Sequence, residues 1–263
     1  KTLTCLIPEV KTKHKALKKQ LNSTEIKPLL KYYRSIGLQI NDFKKGDTLN
    51  SLKQKRRPGD ENVLQADKEA LRAIADILYE KQIPFWVDFG TLLGAYRYEG
   101  VIPWDNDLDI AILANDSQNV MQALNGLDPK KYIAQDWSSR VYPNSYIRVY
   151  VKKSHNHIDL YHVKIDEKSQ MLSTIVSHEE SHFMATDWKT REKMMISHCA
   201  YDRIFPLKKA LFDGFEVPVP NHTAEVLNQK YGDNLNPVKI YSEETGQYEK
   251  DLSHPYWKIP LAH

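Results

Sequence analysis

Along residues 61–81, apolar positions return every third or fourth residue. Leu64, Ala70, Leu71, Ile74 and Leu78 make one stripe, and Asp67, Lys68, Arg72 and Asp76 occupy the other side. That is the period of an amphipathic helix with one buried face, and it predicts the clearest helix of the chain, packed on a sheet. A second helix is predicted over residues 116–124, with Asp116 or Ser117 as its N-cap. A third should run from a capping Asn221 through Lys230 and stop at Tyr231-Gly232-Asp233. Elsewhere the pattern is that of strands. Residues 85–89, 108–113, 145–151 and 157–163 are aromatic or β-branched runs, the third with clean alternation. Between the first two, Gly90-Thr91 breaks the strand, residues 92–97 can form one or two helical turns, and Glu99-Gly100 and Pro103 mark a further turn. Asp213-Gly214 between apolar runs predicts a hairpin.

The first 62 residues lack such order. Leu17, Leu21, Leu29 and Leu30 hint at helical spacing, Pro8 and Pro28 interrupt it, and residues 51–60 end in a Pro58-Gly59 loop. We read residues 1–62 as an extension wrapped around a catalytic unit formed by residues 63–263.

With 263 residues, 41% of them hydrophobic and 27% charged, the chain can bury a full core. The net charge of +3 is gathered in two basic clusters, Lys11 to Lys19 and Lys53 to Arg57, which read as solvated faces. No specific nucleic-acid partner is expected. No apolar run is long enough to span a membrane, so membrane contact is expected only through an N-terminal anchor. The start at Lys1 reads as the trace of a removed segment, whether a signal, an anchor with its stem or an expression tag. The two cysteines, Cys5 and Cys199, permit one disulfide, and Asn22, Asn115 and Asn221 head glycosylation sequons. Together these favour a secretory-pathway or Golgi lumen over the alternative, a bacterial cytoplasm.

The chemistry is concentrated at Asp107 and Asp109. Carboxylates two apart on a strand share a face, where they repel unless a cation lies between them, and hard oxygen donors suit Mg²⁺ or Mn²⁺. Upstream, Gly90 allows close approach of a phosphate, and the helix that follows offers free N–H groups. A phosphate cradle followed by a D-x-D strand suggests phosphoryl or nucleotidyl transfer. Asp159, set among apolar strand residues, needs a cation or donors if buried. His155, His157 and His162 surround it and are read as polar supporting residues, with zinc ligation as the alternative. His178-Glu179-Glu180-Ser181-His182 satisfies H-E-x-x-H, but β-branched residues precede it and no metzincin glycine pattern follows, so a metallopeptidase is set aside.

The stretch Trp86, Asp88, Gly90-Thr91-Leu92-Leu93-Gly94-Ala95, Arg97, Gly100, Ile102-Pro103-Trp104-Asp105, Asp107, Asp109 resembles the core pattern of the LicD/fukutin family. Asn106 and Leu108 depart from that pattern without touching the acidic positions. The downstream blocks around Phe205-Pro206-Leu207, Phe215 to Pro220 and Tyr231-Gly232-Asp233 are similar to it as well, so the resemblance runs from about residue 64 to about residue 237. It implies an α+β chain with a polymerase-β-like nucleotidyltransferase fold, a mixed central sheet flanked by helices. It also implies transfer of a phospho-alcohol, such as phosphocholine or ribitol phosphate, from a CDP-activated donor to a sugar of a glycan acceptor. Asp107, Asp109 and Asp159 would then be catalytic and hold two Mg²⁺ or Mn²⁺ ions. Gly90, Thr91, Arg97 and Asp105 would serve the substrate side, with Arg97 neutralising phosphate and Asp105, like Trp104, shaping the loop. A transferase passing NMP from an NTP, or a silent binding module of the same fold, are the alternatives.

Overall fold

The long apolar stripe becomes the longest of the described helices, interrupted once. In a computed structural model that describes residues 26–37, 47–175, 185–194 and 198–259, the stripe is split into α2 (Asp60–Val63) and α3 (Gln65–Glu80), preceded by α1 (Ile26–Ser35). There follow β1 (Phe85–Val87), α4 (Phe89–Tyr98), β2 (Asp107–Leu113), a 3₁₀ turn (Ala114–Asp116) and α5 (Ser117–Leu124). Next come β3 (Tyr132–Asp136), β4 (Tyr146–Val151), β5 (His157–Asp166), β6 (Met171–Thr174), α6 (Thr186–Met194), β7 (His198–Ala200) and α7 (Tyr201–Ile204). The chain continues through β8 (Lys208–Phe212), β9 (Phe215–Val219), α8 (Thr223–Tyr231), β10 (Lys239–Ser242) and β11 (Gln247–Lys250).

Among the described residues the central sheet runs β1-β2-β5-β4-β3, with β6 paired to the far half of β5 and β7 to β6. It is mixed: β2 and β5 are parallel and the other pairs antiparallel. The expected α+β architecture, a mixed sheet flanked by helices, is therefore present.

The register divides the sheet into two unlike faces. On one, Leu108 and Ile110 of β2 pair with Ile158 and Leu160 of β5, and these with Val149 and Ile147 of β4. All six are buried, and α3 packs over them with Leu71, Ile74 and Leu78 turned inward. Each fully buried side chain of this kind contributes about 1.5–3 kcal/mol. His162 lies in this core, Nδ1 3.1 Å from the Leu160 carbonyl and Nε2 2.9 Å from Ser117 Oγ. Burial pushes its pKa down to about 4, so the imidazole is neutral. Nearby, Tyr33 of α1 donates to Asp116 Oδ2 at 2.9 Å.

The predicted hairpin is β8–β9. Asp213 and Gly214 both take positive φ, 46° and 89°, as the tight turn between twisted strands requires. Residues 47–54 lie along β8 and α4. Thr48 bridges Lys209, while the amides of Leu52 and Gln54 donate to the carbonyls of Tyr96 and Arg97 at 2.7 and 2.6 Å.

Several local expectations are corrected. Phe89 belongs to α4 rather than to the preceding strand, because Asp88 accepts from the Phe89 amide at 2.8 Å and starts the helix there. Asn221 does not cap α8. Its side chain donates to the Asp202 carbonyl at 3.0 Å, and Thr223 turns its hydroxyl back to Pro220. The region after Lys239, which carried no pattern, forms the β10–β11 hairpin. Tyr248 of β11 packs on Trp104, ring centroids 5.0 Å apart, and donates to Asp60 at 2.8 Å. Of the sequons, Asn115 is exposed and Asn221 half-buried, whereas Asn22, Cys5 and the H-E-x-x-H stretch lie outside the described residues.

Candidate active site

The second face of the sheet carries the chemistry, and the register explains how. On the parallel pair, Asp107 stands beside His157 and Asp109 beside Asp159. One strand further, Arg148 faces Asp159 and Tyr150 faces His157. Residues paired directly across strands point to the same side, so three carboxylates, an imidazole and a guanidinium converge.

Asp159 is buried yet well provided for. Arg148 grips it with two parallel bonds, Nε to Oδ1 at 2.7 Å and Nη2 to Oδ2 at 2.9 Å, the fork geometry that suits a carboxylate. His157 Nε2 lies 3.5 Å from Oδ2. Burial alone would raise this carboxyl, but hydrogen bonds from His157, Arg148 and Tyr146 hold it below its usual range. Asp109 has no such partner cation. Burial first, then the charges of Asp107, Asp159, Asp105 and Asp88, push its carboxyl well above the ordinary value. Asp105 is likewise pushed up to about 7, by burial and then by Asp107.

α4 meets this cluster at its N-terminus. Thr91 Oγ1 accepts the Asp109 amide at 2.7 Å, which pins the helix to the middle of β2. At Gly90 an added Cβ would stand 2.6 Å from Asp105 Oδ2, so any side chain there would push the Asp105 carboxylate away from the start of the helix. Asp88 is held by Lys230 of α8, whose ammonium is buried and stands 3.6 Å from the centre of the Phe89 ring. That ring also packs on Tyr161, centroids 4.8 Å apart. These contacts hold Phe89 at φ 46°, a conformation that costs about 1–3 kcal/mol outside glycine. Tyr231, next to Lys230, has its phenol pushed far up by burial and then by the charges of Asp109, Asp105 and Asp88.

The structure thus brings Asp107, Asp109, Asp159, Asp105, Gly90 and Thr91 together. Arg97 serves elsewhere. It is buried, and Nε and Nη2 donate to the carbonyls of Leu235 and Asn236, each at 2.6 Å. Burial lowers its pKa to about 10. Its contacts fasten the loop after α8 in place of the phosphate role expected of it. Conversely, Arg148 and Lys230 were not singled out from the sequence, although Arg148 sits in the alternating Tyr146-Arg148-Tyr150 run whose partner strand holds Asp159.

The donors fit a divalent cation. Ligand atoms of Asp107, His157 and Asp159 all lie within 4.8 Å of one another. Burial, and after it the charges of four neighbouring carboxylates, push Asp109 up, and a hard cation would relieve that repulsion. This set differs from the expected all-carboxylate trio in giving His157 a place.

Residues 82–222 match the family described as LicD/FKTN/FKRP, nucleotidyltransferase domain. The chain is 32% identical over 168 residues to the uncharacterized protein RP689 of Rickettsia prowazekii, covering 64% of this chain and 54% of that one. It is 25% identical over 177 residues to human ribitol 5-phosphate transferase FKRP, covering 64% of this chain and 32% of FKRP. A shorter stretch of 49 residues is 43% identical to mouse ribitol-5-phosphate transferase FKTN, 19% of this chain and 11% of that protein. The match thus spans about half of the rickettsial relative and a third of FKRP.

Proposed function

The chain belongs to the LicD/FKTN/FKRP family, and from that membership we propose that it transfers a phospho-alcohol, of the ribitol-phosphate or phosphocholine kind, from a CDP-activated donor to a sugar hydroxyl of a glycan. The observation that carries the reading is the carboxylate surplus of β2 and β5, set at the N-terminus of α4. Asp107, Asp109 and Asp159, with His157, would hold Mg²⁺ or Mn²⁺, which when bound neutralises phosphate charge and acidifies a hydroxyl.

The remaining work falls to the chain itself. Thr91 fixes the backbone of Asp109, and Arg148 fixes the carboxylate of Asp159, so both are oriented before substrate arrives. The first turn of α4, at Gly90 and Thr91, presents the positive end of a helix toward the space that donor phosphates would take. Lys230 adds a cation at that end while compensating Asp88. A luminal setting rests on the exposed Asn115 sequon, and a glycosidase-sensitive mass at Asn115 in secreted protein tests it.

Product analysis tests the reaction. The chain, supplied with Mn²⁺ and a mixture of glycans, should release CMP from CDP-ribitol or CDP-choline, and Asp109→Asn should not. Pyrophosphate released from CTP, with CDP-alcohols untouched, would replace this reading by literal nucleotidyl transfer.

A further inference from the structure

The chemical face of the sheet is covered unevenly. At its β1–β2 side α4 lies over it, and α8 lies over α4. Toward β4 and β3 no described element covers it, for Trp137, one residue beyond β3, is 46% exposed and Ile133 is 42% exposed. The register carries the face across without a break: Ile133 pairs with Tyr150 and Gln135 with Arg148, while Trp137 donates its amide to the Tyr146 carbonyl at 2.9 Å.

What this open half displays is a file of rings. Trp137 lies 6.5 Å from Tyr150, centroid to centroid, and Tyr150 lies 6.4 Å from His157, which belongs to the candidate metal group. Arg148 joins the file to the reaction centre. Its guanidinium stands 5.5 Å from the Trp137 ring while gripping Asp159. Trp137 is further steadied by its Nε1–H, which donates to Gln135 Oε1 at 3.2 Å. A solvent-facing aromatic held this firmly in the open is poised for a ligand.

We propose that this platform, with Trp137 as its floor and Tyr150, Gln135 and Arg148 at its edges, seats the sugar ring of the acceptor. The inference rests on the transfer reaction proposed above and adds to it the place where the acceptor binds. Aromatic faces carry negative charge and attract the weakly positive C–H faces of a pyranose, while amide, guanidinium and phenol groups at the edge suit its hydroxyls. Position argues for the acceptor rather than the donor. The α4 N-terminus and Lys230 flank the carboxylates on the β1 side, and the rings flank them on the β4 side. In-line transfer needs this opposition: an acceptor oxygen bonds to phosphorus on one side as the bond to the CMP oxygen breaks on the other. CMP leaves with that electron pair, and the hydroxyl proton passes to solvent.

The test uses the whole chain, its Trp137→Ala and Trp137→Phe variants, a printed array of glycans, and CDP-ribitol with Mn²⁺ as the donor-side probe. The wild-type chain should retain a defined set of glycans. Trp137→Ala should retain them about tenfold more weakly, Trp137→Phe within about threefold, and all three should show the same CDP-ribitol thermal shift. Equal retention by Trp137→Ala overturns the platform, as does a wild-type chain that retains no glycan. Loss of the CDP-ribitol shift in Trp137→Ala also overturns it, because the rings would then hold the donor. Glycan retention that depends on Trp137, in a chain with no CDP-ribitol shift, keeps the sugar platform and overturns the donor reading instead.

Discussion

Two clusters of charge lie at the two ends of α4, and they are composed in opposite ways. In the hairpin turn, one carboxylate, Asp213, has two cations, Arg56 and Lys68, all three side chains less than a tenth exposed. It also accepts the Val101 amide at 2.8 Å, and any side chain at Gly100 would collide with it. At the start of β2 and in the loop before it, Asp105, Asp107 and Asp109 gather where Arg148 and Lys230 are already bound to Asp159 and Asp88, and Lys239 only partly offsets the charge at Asp105. A buried carboxylate that brings its own cations is a fastener, here tying residues 47–58, α3, the loop after α4 and the hairpin together. Carboxylates crowded with too few cations keep a folded chain under electrostatic tension that an ion from solution can release.

The sharpest way to break the comparison is to remove one carboxylate from each cluster. Asp109→Asn should lower transfer at least about a thousandfold, equivalent to roughly 4 kcal/mol of transition-state stabilisation. Without metal it should melt no lower than wild type, since one of several mutually repelling charges is gone. Normal turnover in this variant would end its assignment to the reaction.

Asp213→Asn should do the reverse. It leaves the buried Arg56 and Lys68 with only the exposed Glu61, 3.9 Å from Arg56, as an acidic neighbour, which costs about 3 kcal/mol of stability, read as a lowered urea midpoint. Metal affinity should stay as it was. Should the midpoint hold, the turn is not the fastener its contacts suggest.

A third measurement sharpens the contrast without touching the fold. Mn²⁺ at a hundredfold over its Kd should stabilise the wild-type chain by about 2.7 kcal/mol by mass action. Asp213→Asn should gain as much, Asp109→Asn much less. Calorimetry that gives one affinity for all three proteins would place the ion outside the β2–β5 cluster.

How much of this the sequence disclosed depends on how local the cause was. The α3 stripe, the alternation of β4 and the Asp213-Gly214 turn are written in neighbouring residues and fold as read, except that Asp67 and Lys68, expected on the outer side of the helix, are buried against Ser154, Asn156 and Asp213. The acidic positions were legible because β2 holds two of them two residues apart. The partners were not. Lys230 reaches Asp88 across 142 residues and Arg56 reaches Asp213 across 157, and no periodicity encodes such pairs. Arg97 shows the converse. Its place in the motif suggested phosphate, yet what it binds is set by a loop 138 residues away. The β10–β11 hairpin stayed hidden because most of its strand residues are polar or charged, and its packing on Trp104 and Asp60 supplies what its own pattern lacks.

The smallest effect comes from the other face of the sheet, where β5 handles a titratable group without any charge. Three residues beyond Asp159, His162 is neutral in the fold, with its pKa lowered to about 4 by burial, against about 6.5 in an unfolded chain. Between those values the unfolded chain binds the extra proton, so stability is full above about pH 6.5 and is lost as pH falls toward 4. From pH 7 to pH 5 the loss amounts to about 2 kcal/mol. Asp116, raised to about 6 by burial, works in the opposite sense, because its folded form takes up a proton first as pH falls. The plain pH curve of the wild-type chain therefore understates the histidine. Comparing wild type with His162→Gln at both pH values cancels Asp116 and isolates it. Glutamine can still reach Ser117 Oγ but cannot be protonated, so the variant should lose about 2 kcal/mol less than wild type between pH 7 and pH 5. Identical losses in the two proteins would mean that His162 is charged in the folded chain, and that the helix-covered face, like the catalytic one, holds a buried charge.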